Sequence, residues 1–256
     1  MRLAALVLAA LWVAIPAVAC DYPGPPPGSG EARAEGRGIV WAGFSDATTR
    51  YDHGILGDAV EAGGLRAMTR TKGPCDLSVI LPQDRVFEDI APRLADLDGD
   101  GRAEIIVVET DVDRGASLAV YGLRLGRLVR IAATPPIGRT HRWLAPIGAA
   151  DLDGDGMMEI TYVDRPHLAR VLMVWRYRDG ALEKVAEIGG LTNHRIGDGT
   201  ILGGIRDCAG GGPEMITASA DWSRLMATRF QDGRLVSRDI GANSGPAAVS
   251  DALACR

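Results

Sequence analysis

Two stretches of the chain carry one acidic pattern, Ala-Asp-Leu-Asp-Gly-Asp-Gly, two further residues, then Glu-Ile, at residues 95–105 and 150–160. Acidic side chains at the first, third and fifth loop positions can converge only if the backbone curls tightly, and glycine at the sixth permits a turn that a Cβ resists. In the first loop the ligand set is Asp96, Asp98, Asp100, the main-chain carbonyl of Arg102 and the carboxylate of Glu104. In the second it is Asp151, Asp153, Asp155, the carbonyl of Met157 and Glu159. Every donor is oxygen, and neither His nor Cys takes part. That composition selects a hard cation, and the ligand number suits calcium better than magnesium, so two calcium ions are expected.

The closing acid falls at the ninth loop position. An EF-hand places its bidentate Glu at the twelfth, here Val107 or Tyr162, and needs flanking helices. Here β-type runs follow instead, at 105–108 and 160–163. Two loops at one register argue against mere solvated turns. Carboxylates crowded into one loop repel, and an ion relieves that repulsion. At ten times its Kd the ion adds about 1.4 kcal/mol to stability, a structural role.

What must position these loops is a set of short strands. Apolar runs of strand length, broken by Gly, Asp-Gly and Pro, fill the chain from Ile39 onward, and no sustained 3.6-residue period appears, so the chain reads as all-β. Internal repetition organises it. Glu104 and Glu159 are 55 apart, and the same step reaches Glu214 in a decayed third copy. Hairpin glycines Gly126, Gly180 and Gly233 recur at spacings of 54 and 53, with Asp179-Gly180 and Asp232-Gly233 as tight-turn dipeptides. A weaker copy lies near residues 50–81, with a strand at 65–70. About four units of four short strands result, and such units bury their faces only by packing in series or in a ring. The expected architecture is a small β-propeller-like array, with an open β-sandwich as the competing arrangement.

The loop pattern and its place in a repeated β unit resemble the calcium loop of FG-GAP repeats, found in integrin-type propellers and bacterial VCBS-repeat proteins. The resemblance covers roughly residues 40–240. It implies a propeller-like fold in which the loop joins the innermost strand of a blade to the next, with calcium bound there. The count of about four departs from the seven blades usual in that family. In the third copy Arg206, Cys208 and Gly210 stand where ligands belong, so no ion is expected there.

In a propeller the loops approaching each innermost strand gather on the face opposite the calcium loops. They carry His53, His141, Arg142, His194 and Arg195, a candidate axial pocket for an anion or a carbohydrate. The alternative pairs these side chains with blade carboxylates. Trp143, Trp175 and Trp222 read as core, His167 as a surface turn residue, and Arg165, Arg170, Arg176 and Arg178 as solvated strand-face residues. No G-x-S-x-G elbow, H-E-x-x-H pair, phosphate loop or C-x-x-C motif is present.

The chain opens with Arg2, an apolar run from Leu3 to Ile15 and Ala17-Val18-Ala19, which reads as a secretory signal over residues 1–19. A buried N-terminal helix is the competing reading. The apolar run is too short to span a bilayer, and no other candidate span follows. Residues 20–38, rich in Pro, Gly and small polar residues, read as a flexible tether, and residues 39–256 as the repeat domain. Cys20, Cys75, Cys208 and Cys255 form an even set, and an oxidising compartment favours two disulfides of undetermined pairing. Acylation of Cys20 is the minority reading. The net charge of −5 leaves no basic excess for nucleic acid. The expected protein is a periplasmic or secreted, non-catalytic binding or scaffolding module for an unidentified protein or glycan. The alternative is a propeller hydrolase or lyase acting on a glycan or anionic substrate at the axial face.

Overall fold

The computed structural model describes residues 24–73, 75–208 and 210–256; the expected signal segment and Cys20 lie outside the described residues. Among the described residues the chain forms eighteen strands and one short helix, in three sheets.

Four units follow one another. The first comprises β1 (Glu31–Arg33), β2 (Arg37–Thr48), β3 (Glu61–Thr69) and β4 (Leu77–Ile80). The second has an inner edge in two pieces, β5 (Arg85–Phe87) and β6 (Arg93–Ala95), followed by β7 (Arg102–Asp111), β8 (Gly115–Arg124) and β9 (Arg127–Ala133). The third is a plain antiparallel meander of β10 (Leu144–Ala150), β11 (Glu159–Asp164), β12 (Val171–Arg178) and β13 (Ala181–Gly189). The fourth repeats the split inner edge with β14 (Leu191–Thr192) and β15 (Gly204–Asp207), then β16 (Pro213–Ser219), β17 (Arg224–Gln231) and β18 (Arg234–Ala242). Pairing of β3 with β5, and of β5 with β7, merges the first two units into one sheet.

The expected all-β, propeller-like array is therefore present. The hairpins after β8, β12 and β17 turn on Leu125-Gly126, Asp179-Gly180 and Asp232-Gly233, with positive φ at both residues of each pair. Such turns carry the right-handed twist of the flanking strands, which explains the recurring glycine.

The strands β7, β11 and β16 are buried on both faces, because neighbouring units or the terminal helix cover them on both sides, whereas the outer strands β9, β13 and β18 expose one face. Ile105 and Val107 of β7 face a core shared with Phe44 and Leu65 of the first unit, while Ile106 and Val108 face Leu144 and Ile160 of the third. Leu172 and Val174 pack against Met215 and Phe230 of the fourth. The outer face of the fourth unit, Ile216, Leu225 and Ala227, is closed by Val249 and Ala252 of helix α1 (Pro246–Leu253). A Cys208–Cys255 disulfide ties the chain end beyond α1 to the connection that follows β15. A terminal cover of this kind is what a stacked repeat requires. Cys75 is also disulfide-bonded.

Two departures from the sequence reading concern the first unit. Strand pairing begins at Glu31, inside the stretch read as a tether: Ala32 pairs with Ala42, and Trp41 Nε1 donates to Glu31 Oε2 at 2.6 Å. Composition concealed this because one sheet edge needs backbone hydrogen bonds more than apolar side chains. The upstream copy also starts earlier than residue 50. Its β2–β3 connection, residues 49–60, is longer than its counterparts 112–114, 165–170 and 220–223, and so breaks the 55-residue period. That insertion reaches the fourth unit, where Gly197 N donates to Ile55 O at 3.0 Å.

Candidate functional site

The first acidic loop joins β6 to β7 and the second joins β10 to β11, the position the resemblance implied. In each, the leucine between the first two aspartates anchors the loop: Leu97 and Leu152 are buried. The closing glutamate is the first inward side chain of its strand and accepts from that leucine's amide, Leu97 N to Glu104 Oε2 at 3.0 Å and Leu152 N to Glu159 Oε2 at 2.9 Å. Carboxylate oxygens of Asp96, Asp98 and Glu104 converge within 4.8 Å of one another, as do those of Asp151, Asp153 and Glu159. Asp100 and Asp155 do not join these trios; their Oδ1 atoms cap the amides of Arg102 and Met157.

The two loops differ in how their acids are satisfied. In the first, Asp96 Oδ2 accepts from Gly101 N at 2.9 Å, while Asp96 Oδ1 is buried without a hydrogen-bond partner. Burial, with Asp98, Asp100 and Asp96 around it, pushes Glu104 up to about 7. A buried oxygen without a hydrogen-bond partner beside two more carboxylates makes an all-oxygen donor set, whose chemistry fits a hard cation. In the second, Asp151 Oδ1 accepts from Gly154 N and Asp155 N at 2.8 and 3.1 Å. The remaining carboxylates hold Arg176, which donates from Nη2 to Asp153 and from Nε to Glu159, both at 2.6 Å, and pairs through Nη1 with Asp155 at 2.8 Å. Arg176 was expected to be a solvated strand-face residue; its side chain is 15% exposed, because the strand register sets it opposite Glu159. Burial still raises Glu159, opposed by Arg176.

At the corresponding place in the fourth unit Glu214 is held by three guanidinium groups. Arg206 donates to Oε2 at 2.9 Å, Arg229 to Oε1 at 2.7 Å, and Arg238 to both oxygens at 2.7 and 2.9 Å. Burial pushes Glu214 up, yet Arg238, Arg206 and Arg229 together hold it down at about 2. Strand register puts Arg206 opposite Glu214, where Ala95 and Ala150 face Glu104 and Glu159, so Arg206 replaces an alanine rather than a ligand.

The candidate axial residues all lie at the end opposite the loops, in two groups. His53 Nδ1 contacts Glu88 Oε1, and His53 stacks on His141 with ring centroids 5.0 Å apart. Glu88 is fully buried, accepts from Thr110 Oγ1 at 2.6 Å, and is pushed by burial up to about 8. Arg142 donates to the carbonyl of His141. In the second group His194 Nε2 donates to Asp198 O at 2.7 Å, which leaves its Nδ1 to accept from His167 Nε2 at 3.1 Å. Burial lowers both imidazoles, His167 to about 4. His167 is half-buried and joins the site that the sequence reading kept it out of. Arg195 lies over the Trp222 ring at 4.1 Å. Trp143 is core, as expected, and donates from Nε1 to Glu88 O at 2.8 Å.

Beside these groups a 280 Å³ cavity is lined by Asp58, Glu61, Phe87, Asp89, Gly197 and others. Asp89 is paired with Arg93 at 2.8 Å. Glu61 is 5% exposed, and burial, with Glu88, Asp58 and Asp89 nearby, pushes it up to about 9.

Sequence reading missed Arg176, Arg229 and Glu88. The signal for the arginines was present: Gly122, Arg176 and Arg229 each stand four residues before a hairpin glycine. Among the described residues no helix is long and apolar enough to cross a membrane. Residues 96–162, which contain both acidic loops, match the family model of an FG-GAP-like repeat. No curated protein matches the chain.

Proposed function

We propose that this FG-GAP-like repeat protein is an exported, non-catalytic binding or scaffolding module whose loops take calcium as a structural ion. The observation that carries the reading is the first loop: three converging carboxylates around a buried, unpartnered Asp96 Oδ1. There Asp96, Asp98 and Glu104 would hold the ion, joined by main-chain oxygen and water. Export agrees with the Cys208–Cys255 disulfide, since such bonds persist in oxidising compartments. After chelation, calcium added to the purified chain binds and raises the melting temperature by about 3–5 °C at ten times its Kd. Asp98→Ala removes the first loop's share of that rise. Calorimetry and melting curves that show no calcium effect up to millimolar concentration reject the reading.

A second reading draws on the buried Glu88 and the half-buried His53 in contact with it at the opposite end, an acid–base couple beside a cavity. It makes the chain a hydrolase or lyase for a glycan or anionic substrate. Release of reducing ends from an acidic polysaccharide, lost in His53→Gln, supports it; no release from acidic or neutral polysaccharides discards it.

A further inference from the structure

The register-equivalent partner of the closing glutamate changes along the chain. Glu104 faces Gly122, which brings no side chain; a Cβ built on Gly122 would lie 3.5 Å from Glu104 Cγ. Glu159 faces Arg176, and Glu214 sits next to Arg229, with Arg206 and Arg238 added from the flanking strands. Among the described residues, guanidinium groups paired with the glutamate therefore number none, one and three in the second, third and fourth units.

From this series we infer that Arg176 is the resident cation of the Asp151 loop, so that the Asp96 loop alone is a full-strength calcium site and the second loop binds the ion only by displacing a guanidinium. The inference rests on the calcium reading above and corrects its stoichiometry.

Three features fix Arg176 in that role. Its planar fork makes contacts of 2.6–2.8 Å to three different carboxylates of one loop. Two of those carboxylates, Asp153 and Glu159, belong to the trio that an ion would need, so ion and guanidinium compete for the same oxygens. Behind the fork the guanidinium carbon lies 6.0 Å from the centroid of the Phe230 ring in the fourth unit, which holds it from the outer side. Asp151 is also satisfied without an ion, by three amides, whereas Asp96 keeps one oxygen unpaired. Each charge-assisted hydrogen bond given up weakens calcium by roughly tenfold or more.

Calcium alone is the probe, titrated by calorimetry into the chelated full chain. The wild type is expected to show one tight step, with the second at least tenfold weaker. Arg176→Gln tightens the second step at least tenfold and leaves the first unchanged; Arg176→Lys, which keeps one charge and loses the fork, falls between. Gly122→Arg, placing a guanidinium where the second unit has none, abolishes the tight step. Asp98→Ala removes the tight step and leaves the weak one. Two equal steps in the wild type, unmoved by Arg176→Gln, overturn the inference and leave the calcium reading standing. No calcium binding in the wild type or in Arg176→Gln overturns both. Gly122→Arg provides the independent check should Arg176→Gln prove too unstable to titrate.

Discussion

The loop of the second unit and its counterpart in the fourth begin from one backbone plan and settle a buried glutamate in opposite ways. Around Glu104 the neighbouring side chains are three aspartates, and the carboxyl is pushed up to about 7 by burial and like charge. In the fourth unit only Asp207, at the place of Asp96, remains of the loop aspartates; three arginines converge on Glu214, and the carboxyl is held at about 2 despite burial. Breaking a buried ion pair costs more than forming it gains, because the surviving partner keeps its desolvation penalty. The fourth unit thus settles its glutamate by ion pairs with side chains of the chain itself, while the second leaves a buried carboxylate oxygen without a hydrogen-bond partner. The difference shows that repeat position fixes geometry and that the residue facing the glutamate fixes what fills it.

The largest test of that contrast removes the acid where the arginines gather. Glu214→Gln leaves Arg206, Arg229 and Arg238 without their shared carboxylate, and Arg206 also donates to Ala252 O at 2.6 Å, so the cover over the last face loosens with it. The expected cost is about 3 kcal/mol, the low end for a buried pair since Arg238 is half exposed. In a chain of this size that lowers the melting temperature by roughly 6–10 °C. Calcium does not restore it. The folded-state value of Glu214 is depressed, so its contribution is complete above the unfolded value near 4.5 and is lost as pH falls through about 2. The melting curves of variant and wild type should therefore converge toward pH 2. A variant that melts like the wild type at pH 7 would show that the arginines are satisfied by solvent and that the contrast with Glu104 is only apparent.

Much of this arrangement could be read from residues, for identifiable reasons. The acidic loops and the Asp-Gly hairpins are local signals, each fixed by backbone geometry within a dozen residues; their recurrence about every 55 residues marked the units, and the all-β fold with its loop positions followed from them. The pairings of Glu159 with Arg176 and of Glu214 with Arg229 were not seen, because each arginine lies on the next strand, 17 and 15 residues on, and a charged residue on a strand reads as solvated until register is known. The β1 strand hid in a proline- and glycine-rich stretch because an edge strand needs little apolar content. His167 was set aside because its partner, His194, is 27 residues away across a unit boundary. Cross-strand and cross-unit pairings are set by topology, which residue types do not spell out.

Glu61 offers a third way to settle a buried acid, by a proton, and gives the smallest of the expected effects. It stands at the start of β3, at the end of the array away from the loops, with acidic neighbours Glu88, Asp58 and Asp89, and among the described residues no guanidinium is paired with it. Its folded-state value, about 9, is raised above the ordinary 4.5. The sign is then opposite to that of Glu214: stability is complete below pH 4.5 and drains away as pH rises through about 9, because the unfolded chain ionises Glu61 while the folded chain keeps it protonated. Glu61→Gln, which mimics the protonated carboxyl, should melt like the wild type at pH 5 and at least about 3 °C above it at pH 9. Glu88, also raised, to about 8, remains in the variant, so the alkaline decline is blunted rather than removed. Parallel pH profiles for the two proteins would mean that Glu61 already ionises in the fold and draws on a cation, which would place it beside Glu104 in the comparison.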